Sequence, residues 1–241
     1  MKTILKTLVG SRAHGLENEN SDYDYRGVFI APTVDLLKLG SAPRNTNWIE
    51  GDEDDTAWEV GHFLQLATKS NPTILETFLA PVVIDKTPSV GMTTVERSSD
   101  FLWGQRLRDL FPYVWSSKAV MDAFIGYGHN QRKKFFENKD GRKDKYLSAY
   151  ARVLFNAYEL LSTGTFTIRI ADTHVGPTIR RFKDGNYQLG EAIQFCMDWE
   201  AMVREAYEKN PDKQTDLDKV NEFLLALRKE NYDFKGTEES K

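Results

Sequence analysis

Gly10-Ser11-Arg12-Ala13-His14-Gly15, then Ser21-Asp22-Tyr23-Asp24-Tyr25-Arg26-Gly27, is the stretch on which the reading of this chain turns. Two β-rich runs frame it. Residues 4–9 end at Gly10-Ser11, and residues 23–30 read as a strand closed by Ala31-Pro32. Positions i and i+2 of a strand share a face, so Asp22 and Asp24 are expected side by side. Two adjacent carboxylates repel unless a cation lies between them. Such a pair suits Mg²⁺, a hard ion that completes its shell with water and substrate phosphate. Two such ions can clamp an in-line displacement at phosphorus. Gly10 lets the backbone approach a ligand closely, and a turn or helix start at Ser11 points N–H groups and a hydroxyl at an anion. Asp-x-Asp alone and Gly-Ser alone are weak signals; their order and spacing together are specific.

Outward from this stretch, the first third punctuates as a mixed α and β unit. One helical turn is expected over 35–39 and a short strand at 48–49, ahead of the acidic run 50–55. From Ala57 the spacing of Val60, Phe63, Leu64 and Ala67 predicts a helix that stops near Ser70-Asn71-Pro72. A second short helix is expected over 73–79 and an edge strand over 82–84, with loop over 86–100. Helical spacing then recurs over 102–110, 117–138, 143–163, 189–209 and 215–229, interrupted by alternation at 165–169 that reads as a short strand. The expected organisation is a sheet-bearing unit over 1–110 and a helical unit over 111–241. The polar tail 235–241 is expected to fray.

The 241 residues carry 32 Lys+Arg against 36 Asp+Glu, a formal charge of −4. Bulk positive charge is therefore not how this chain would hold nucleic acid, and any phosphate must be handled at a local site. The 40% hydrophobic fraction is enough for a core and excludes wholesale disorder. No stretch approaches the ~20 apolar residues of a membrane span, and the first residues are too short an apolar run for a signal peptide. Cys196 is the single cysteine, so no intrachain disulfide can form, which fits a cytoplasmic location. It lies between Phe195 and Met197 on a helical pattern and reads as a small core hydrophobe.

The Gly10–Gly27 stretch resembles the nucleotidyltransferase superfamily of DNA polymerase beta. It is closest to the branch whose motif reads Gly-Ser-Arg-Ala-x-Gly followed by Ser-Asp-x-Asp-x-Arg-Gly, often found beside RNA ligases and in phages. Gly10, Ser11, Arg12, Ala13, Gly15, Ser21, Asp22, Asp24, Arg26 and Gly27 carry the match. The resemblance implies an α+β fold: a small mixed sheet with both aspartates on one strand, followed by a mostly helical part. It also implies a third carboxylate on an adjacent strand, and Mg²⁺-dependent transfer of a nucleoside monophosphate from an NTP. The family's strand Asp falls on Asp54, within Asp54-Asp55-Thr56-Ala57-Trp58-Glu59; Glu59 is the alternative, capping the site from a helix start. Asn71-Pro72 and Glu76 also follow the family pattern, although the first reads as a helix stop and the second as a surface acid.

In the helical half the family places Lys, His and Arg at one helix spacing before Glu-Leu-Leu-x-x-Gly. Here these are Lys145, Ala149 and Arg152, ahead of Glu159–Gly164. Lys145 and Arg152 would then reach the β- and γ-phosphates. Ala149 departs from the family's His. Arg12 could touch the triphosphate, and Arg26 could instead pair with an aspartate. Tyr127 and Gln131 could line a nucleotide pocket. Arg132-Lys133-Lys134 beside Phe135-Phe136 reads either as a guide for an RNA end or as a solvated face over a core-facing aromatic pair. His14 reads as an ordinary loop histidine.

The expectation is an enzyme with catalytic and metal-binding Asp22, Asp24 and Asp54. Gly10, Ser11, Arg12, Lys145 and Arg152 would hold the NTP, two Mg²⁺ are expected, and RNA or protein would be the acceptor, with RNA favoured. The alternatives are a nucleotide-binding module that lost turnover, or a toxin- or antitoxin-type enzyme that attaches AMP to a protein.

Overall fold

The computed structural model describes residues 2–39, 46–48, 56–83 and 99–232. β1 (Lys2–Val9) pairs antiparallel with β2 (Asp24–Ile30), and Val9 lies opposite Asp24. β4 (Thr56–Glu59) pairs parallel with β2 from Arg26↔Thr56 to Phe29↔Glu59, and β3 (Thr46–Trp48) closes the far edge antiparallel to β4. The order β1-β2-β4-β3 makes the sheet mixed. Between β1 and β2 lies α1 (Gly10–Ala13), a single turn, and after β2 comes α2 (Thr33–Leu37).

α3 (Val60–Ala67) and α4 (Pro72–Leu79) follow β4. Asn71 and Pro72 do more than stop a helix. The Asn71 side chain accepts from the Thr73 and Ile74 N–H groups at 3.0 and 3.3 Å, and Pro72 starts α4. α5 (Ser99–Arg108) lies against β1. Then come the long helices α6 (Ser117–Glu137) and α7 (Lys143–Thr163), the short α8 (Gly176–Lys183), α9 (Leu189–Lys209) and α10 (Leu217–Glu230). α6 begins at a Ser116 cap and α7 ends at Gly164 in the left-handed region. A Cβ at Gly128 would lie 2.9 Å from the Tyr150 ring, so glycine is what lets α6 and α7 close up there. None of the described helices is long and apolar enough to cross a membrane.

A small second cluster joins Phe29, Ala31 and Ala57, and the main core among the described residues runs from Ile4 to Leu227. Aromatic rings carry it past residue 110: Phe63–Phe78 at 4.8 Å between centroids, then Phe78–Phe111, Phe111–Phe166 and Phe124–Phe166, each at 6.2 Å. α10 returns to the sheet side, where Arg228 pairs with buried Glu59 at 2.6 Å and Trp103 donates to Glu230.

Four expectations change. Residues 56–59 are strand, because they pair with β2 before the helical spacing begins. Residues 165–169 form no strand: Glu159 accepts from the Thr167 N–H and hydroxyl, and the Thr167 carbonyl accepts from Asn156, so no ladder is left to build. Val82 makes only a bridge to Thr7, next to Pro81, which has no N–H to continue it; Ile84 lies outside the described residues. α8 was not anticipated; its buried Ile179 and Phe182 are too few to show a period, and Pro177 near its start is the available signal.

Candidate active site

β1 stops where Gly10 turns the chain at φ +70°, and β2 starts directly opposite with Asp24. The two backbones approach so closely that a Cβ on Gly10 would lie 2.0 Å from Asp24 Oδ2. Only glycine fits, both for that space and for its backbone angle. Gly10 and Asp24 form one lip of a cleft of about 410 Å³.

α4 supplies the floor. Glu76 is buried, and its Oε1 lies 3.2 Å from His14 Nε2 while Oε2 accepts from Arg152 Nη1 at 3.2 Å. His14 Nδ1 is 3.0 Å from the Ile168 carbonyl oxygen, so the ring is fixed from both sides. Burial alone would raise the Glu76 carboxyl. Arg152, then His14 and Arg26, reverse this and hold it down at about 2. Glu76 is therefore a charged floor residue, not a surface acid, and His14 is part of the same network.

The long helices supply the opposite wall. Tyr127, Gln131 and Lys134 share a face of α6, and Lys145, Tyr146, Ala149 and Arg152 share one of α7, with Arg142 just before it. Among the described residues that line the cleft, Arg26, Lys134, Arg142, Lys145 and Arg152 face only Asp24 and Glu76 as acids. Arg152 is tied to Glu76. Lys134, Arg142 and Lys145 are exposed and make no ion pair with a described residue. Lys134 Nζ lies 5.4 Å from the Tyr146 ring centroid. A protein of net charge −4 thus presents a cleft that favours a polyanion.

Of the expected site residues, Gly10, Asp24, Lys145 and Arg152 come together in this cleft. Three do not. Asp22 lies exposed in the connection just ahead of β2 and is not among the residues lining the cleft; Asn18, Ser21 and Arg12 shape that connection. Arg12 gives Nε and Nη2 to the Ser21 carbonyl at 3.1 and 2.7 Å and stacks over Tyr23 at 3.9 Å, so it braces the approach to Asp24 and does not line the cleft. Ser11 also stays off the cleft wall; its carbonyl accepts from Leu16. Asp54 lies outside the described residues. Glu59, its alternative, caps α3 through the Gly61 N–H and pairs with Arg228, so its charge is committed away from the cleft.

Of the basic run, Lys134 reaches the cleft, Lys133 pairs with Glu137 at 4.0 Å, and only Phe135 of the aromatic pair is buried. Cys196 is buried, which with nearby Glu200 pushes its thiol up to about 12 and leaves it inert. Lys134, Arg142 and Tyr146 were missed as site residues. Lys134 stood inside an ordinary basic run, whereas Arg142 three residues before Lys145 and Tyr146 three before Ala149 have the helical spacing that could have found them.

A mixed sheet whose Gly-Ser turn faces a carboxylate, closed over by basic helices, defines a polymerase-beta-like α+β protein. Residues 1–176 match RlaP, described as an RNA repair pathway DNA polymerase beta family, and the chain belongs to that family. It is also similar to an uncharacterized 38.9 kDa protein in the nrdC-mobD intergenic region of Enterobacteria phage T4, with 26% identity over 166 residues, 64% of this chain and 43% of the phage protein. The chain therefore spans less than half the length of that relative.

Proposed function

We propose that this chain is a Mg²⁺-dependent nucleotidyltransferase that moves a nucleoside monophosphate from an NTP to a hydroxyl acceptor, an RNA end in the first instance, and releases pyrophosphate. Family membership points to nucleotidyl transfer. The observation that carries the finer reading is Asp24 seated against the Gly10 backbone, across a cleft from Lys134, Arg142 and Lys145.

The donor chemistry fits Mg²⁺. Asp24 offers hard carboxylate oxygens at the cleft lip, and Asp22 stands two residues away on the preceding connection. No three acidic, His or Cys side chains converge among the described residues, and Asp54 falls outside them. Asp24 would hold the ion with Asp22 and Asp54. When bound, the ion would supply charge neutralisation at the transferring phosphoryl group and a more acidic attacking hydroxyl. The chain's own side chains do the rest. Gly10 leaves room for the Asp24 carboxylate to sit against the backbone at the cleft lip. Lys134, Arg142 and Lys145 neutralise charge on the departing pyrophosphate. Glu76 and His14 hold Arg152 in place at the floor, so that it acts from a fixed position.

Incubation with Mg²⁺ and each α-labelled NTP, with and without a short RNA bearing a free 3′ hydroxyl, tests this. Label on the RNA that disappears with Asp24→Asn is the expected result. Ala149, in the cleft where the family tends to carry His, favours a second reading, a nucleotide-binding module without turnover. NTP binding with no pyrophosphate release would select it.

A further inference from the structure

Gln131 is only 6% exposed and lines the cleft, and its side-chain amide has no hydrogen-bond partner among the described residues. The residue is buried, but its amide atoms are open to the cleft, where a ligand can reach both the donor and the acceptor. Four residues earlier on α6, on the same face, half-buried Tyr127 also lines the cleft, and its hydroxyl likewise has no partner among the described residues. The cations of the same cleft are the groups a polyphosphate would occupy. Tyr127 and Gln131 are uncharged, and one is aromatic.

We infer that Tyr127 and Gln131 form the nucleobase subsite and favour adenine over guanine by reading the N7 and C6 edge of a purine. This rests on the nucleotidyltransferase reading above and adds its base preference. A phenol ring offers a stacking face to a planar base. An amide presents one donor and one acceptor side by side. That pair matches the adenine edge, where the 6-amino group donates and N7 accepts. On the same edge guanine presents two acceptors, which an amide cannot satisfy together. A base seated on Gln131 without matching this edge would cover the amide and leave it unpaired.

Isothermal titration calorimetry of the intact chain in Mg²⁺, without acceptor, tests the inference with ATP, GTP, CTP, UTP and purine riboside triphosphate, which lacks the 6-amino group. ATP is expected to bind about tenfold more tightly than GTP or the purine analogue. Gln131→Met keeps the side-chain volume and removes both hydrogen-bonding atoms, and should bring ATP down to the level of GTP and the purine analogue. Equal binding of ATP and purine riboside triphosphate by the unaltered chain overturns the inference even if the variant does not fold. So does an ATP preference that survives Gln131→Met. In both cases the nucleotidyltransferase reading stands. Failure of every NTP to bind removes that reading, and the base subsite with it.

Discussion

Gly10 and Asp24 make the tightest residue-scale demand in the molecule. Gly10→Ala would press a methyl group into the Asp24 carboxylate and force a positive φ on alanine. The expected outcome is a loss of NTP-dependent label transfer of at least about a hundredfold, for a stability cost of only about 1–2 kcal/mol, measured by urea unfolding beside the transfer assay. Glu76 makes a different demand. Its folded value, about 2, lies below the ordinary 4.5, so folding favours the charged form. Its stabilisation is fully present above the unfolded value and is lost as pH falls through the folded one. Glu76→Gln should therefore cost about 3 kcal/mol near neutral pH, and the gap between the two proteins' urea midpoints should close between pH 5 and pH 2. A gap that does not change with pH would show that the carboxylate's charge is not what matters. The pattern Gly10 to Gly27 was legible at this scale. The placement of Asp22 and Arg12 was not, because the side-chain hydrogen bonds of Arg12, Asn18 and Ser21 shape the connection there.

At the scale of elements, α10 is a strap. It comes from the far end of the chain, yet Arg228 pairs with Glu59 where β4 becomes α3, and its backbone carbonyl accepts from Thr33. Both charges are well buried, so removing one partner strands the other. Arg228→Met should lower stability by about 3 kcal/mol or more, and Arg228→Met with Glu59→Gln should recover a good part of it in a double-mutant cycle of thermal unfolding. Additive losses would mean the pair is not coupled. The long helices were legible from their apolar spacing, because 21 residues of α6, α7 or α9 give several turns of signal. β4 and the irregular stretch at 165–169 were not, because a four-residue strand and a five-residue alternation contain no period. What decided them was a neighbour: β2 for the first, and the Glu159 and Asn156 side chains for the second.

At the scale of the whole molecule, an excess of four acids surrounds a cleft lined by five Lys and Arg residues and two acids. Attraction for phosphate is therefore local. NTP affinity should fall as salt rises from about 0.05 to 0.5 M, whereas lengthening an RNA from about 5 to 30 nucleotides should hardly improve its binding in a filter assay. Affinity that climbs steeply with RNA length would point to a basic track outside the cleft. Mg²⁺ removal with EDTA should abolish transfer, measured as loss of label on the acceptor, and re-addition of Mg²⁺ should restore it. Beside the expected division at 110/111, Phe111 touches Phe78 on the sheet side and Phe166 among the helices.

The order of residues by itself determined that a strand ends at a Gly-Ser turn, that a second strand carries Asp24, and that amphipathic helices follow. Local sterics and apolar periodicity act within a few residues, so they can be read along the chain. Only the tertiary structure decided that His14, Glu76 and Arg152 meet at one floor, and that Gln131 lines the same cleft with no partner among the described residues. Contacts between residues 76 and 152 or 14 and 168 depend on how distant elements pack, and no spacing in the sequence encodes that distance.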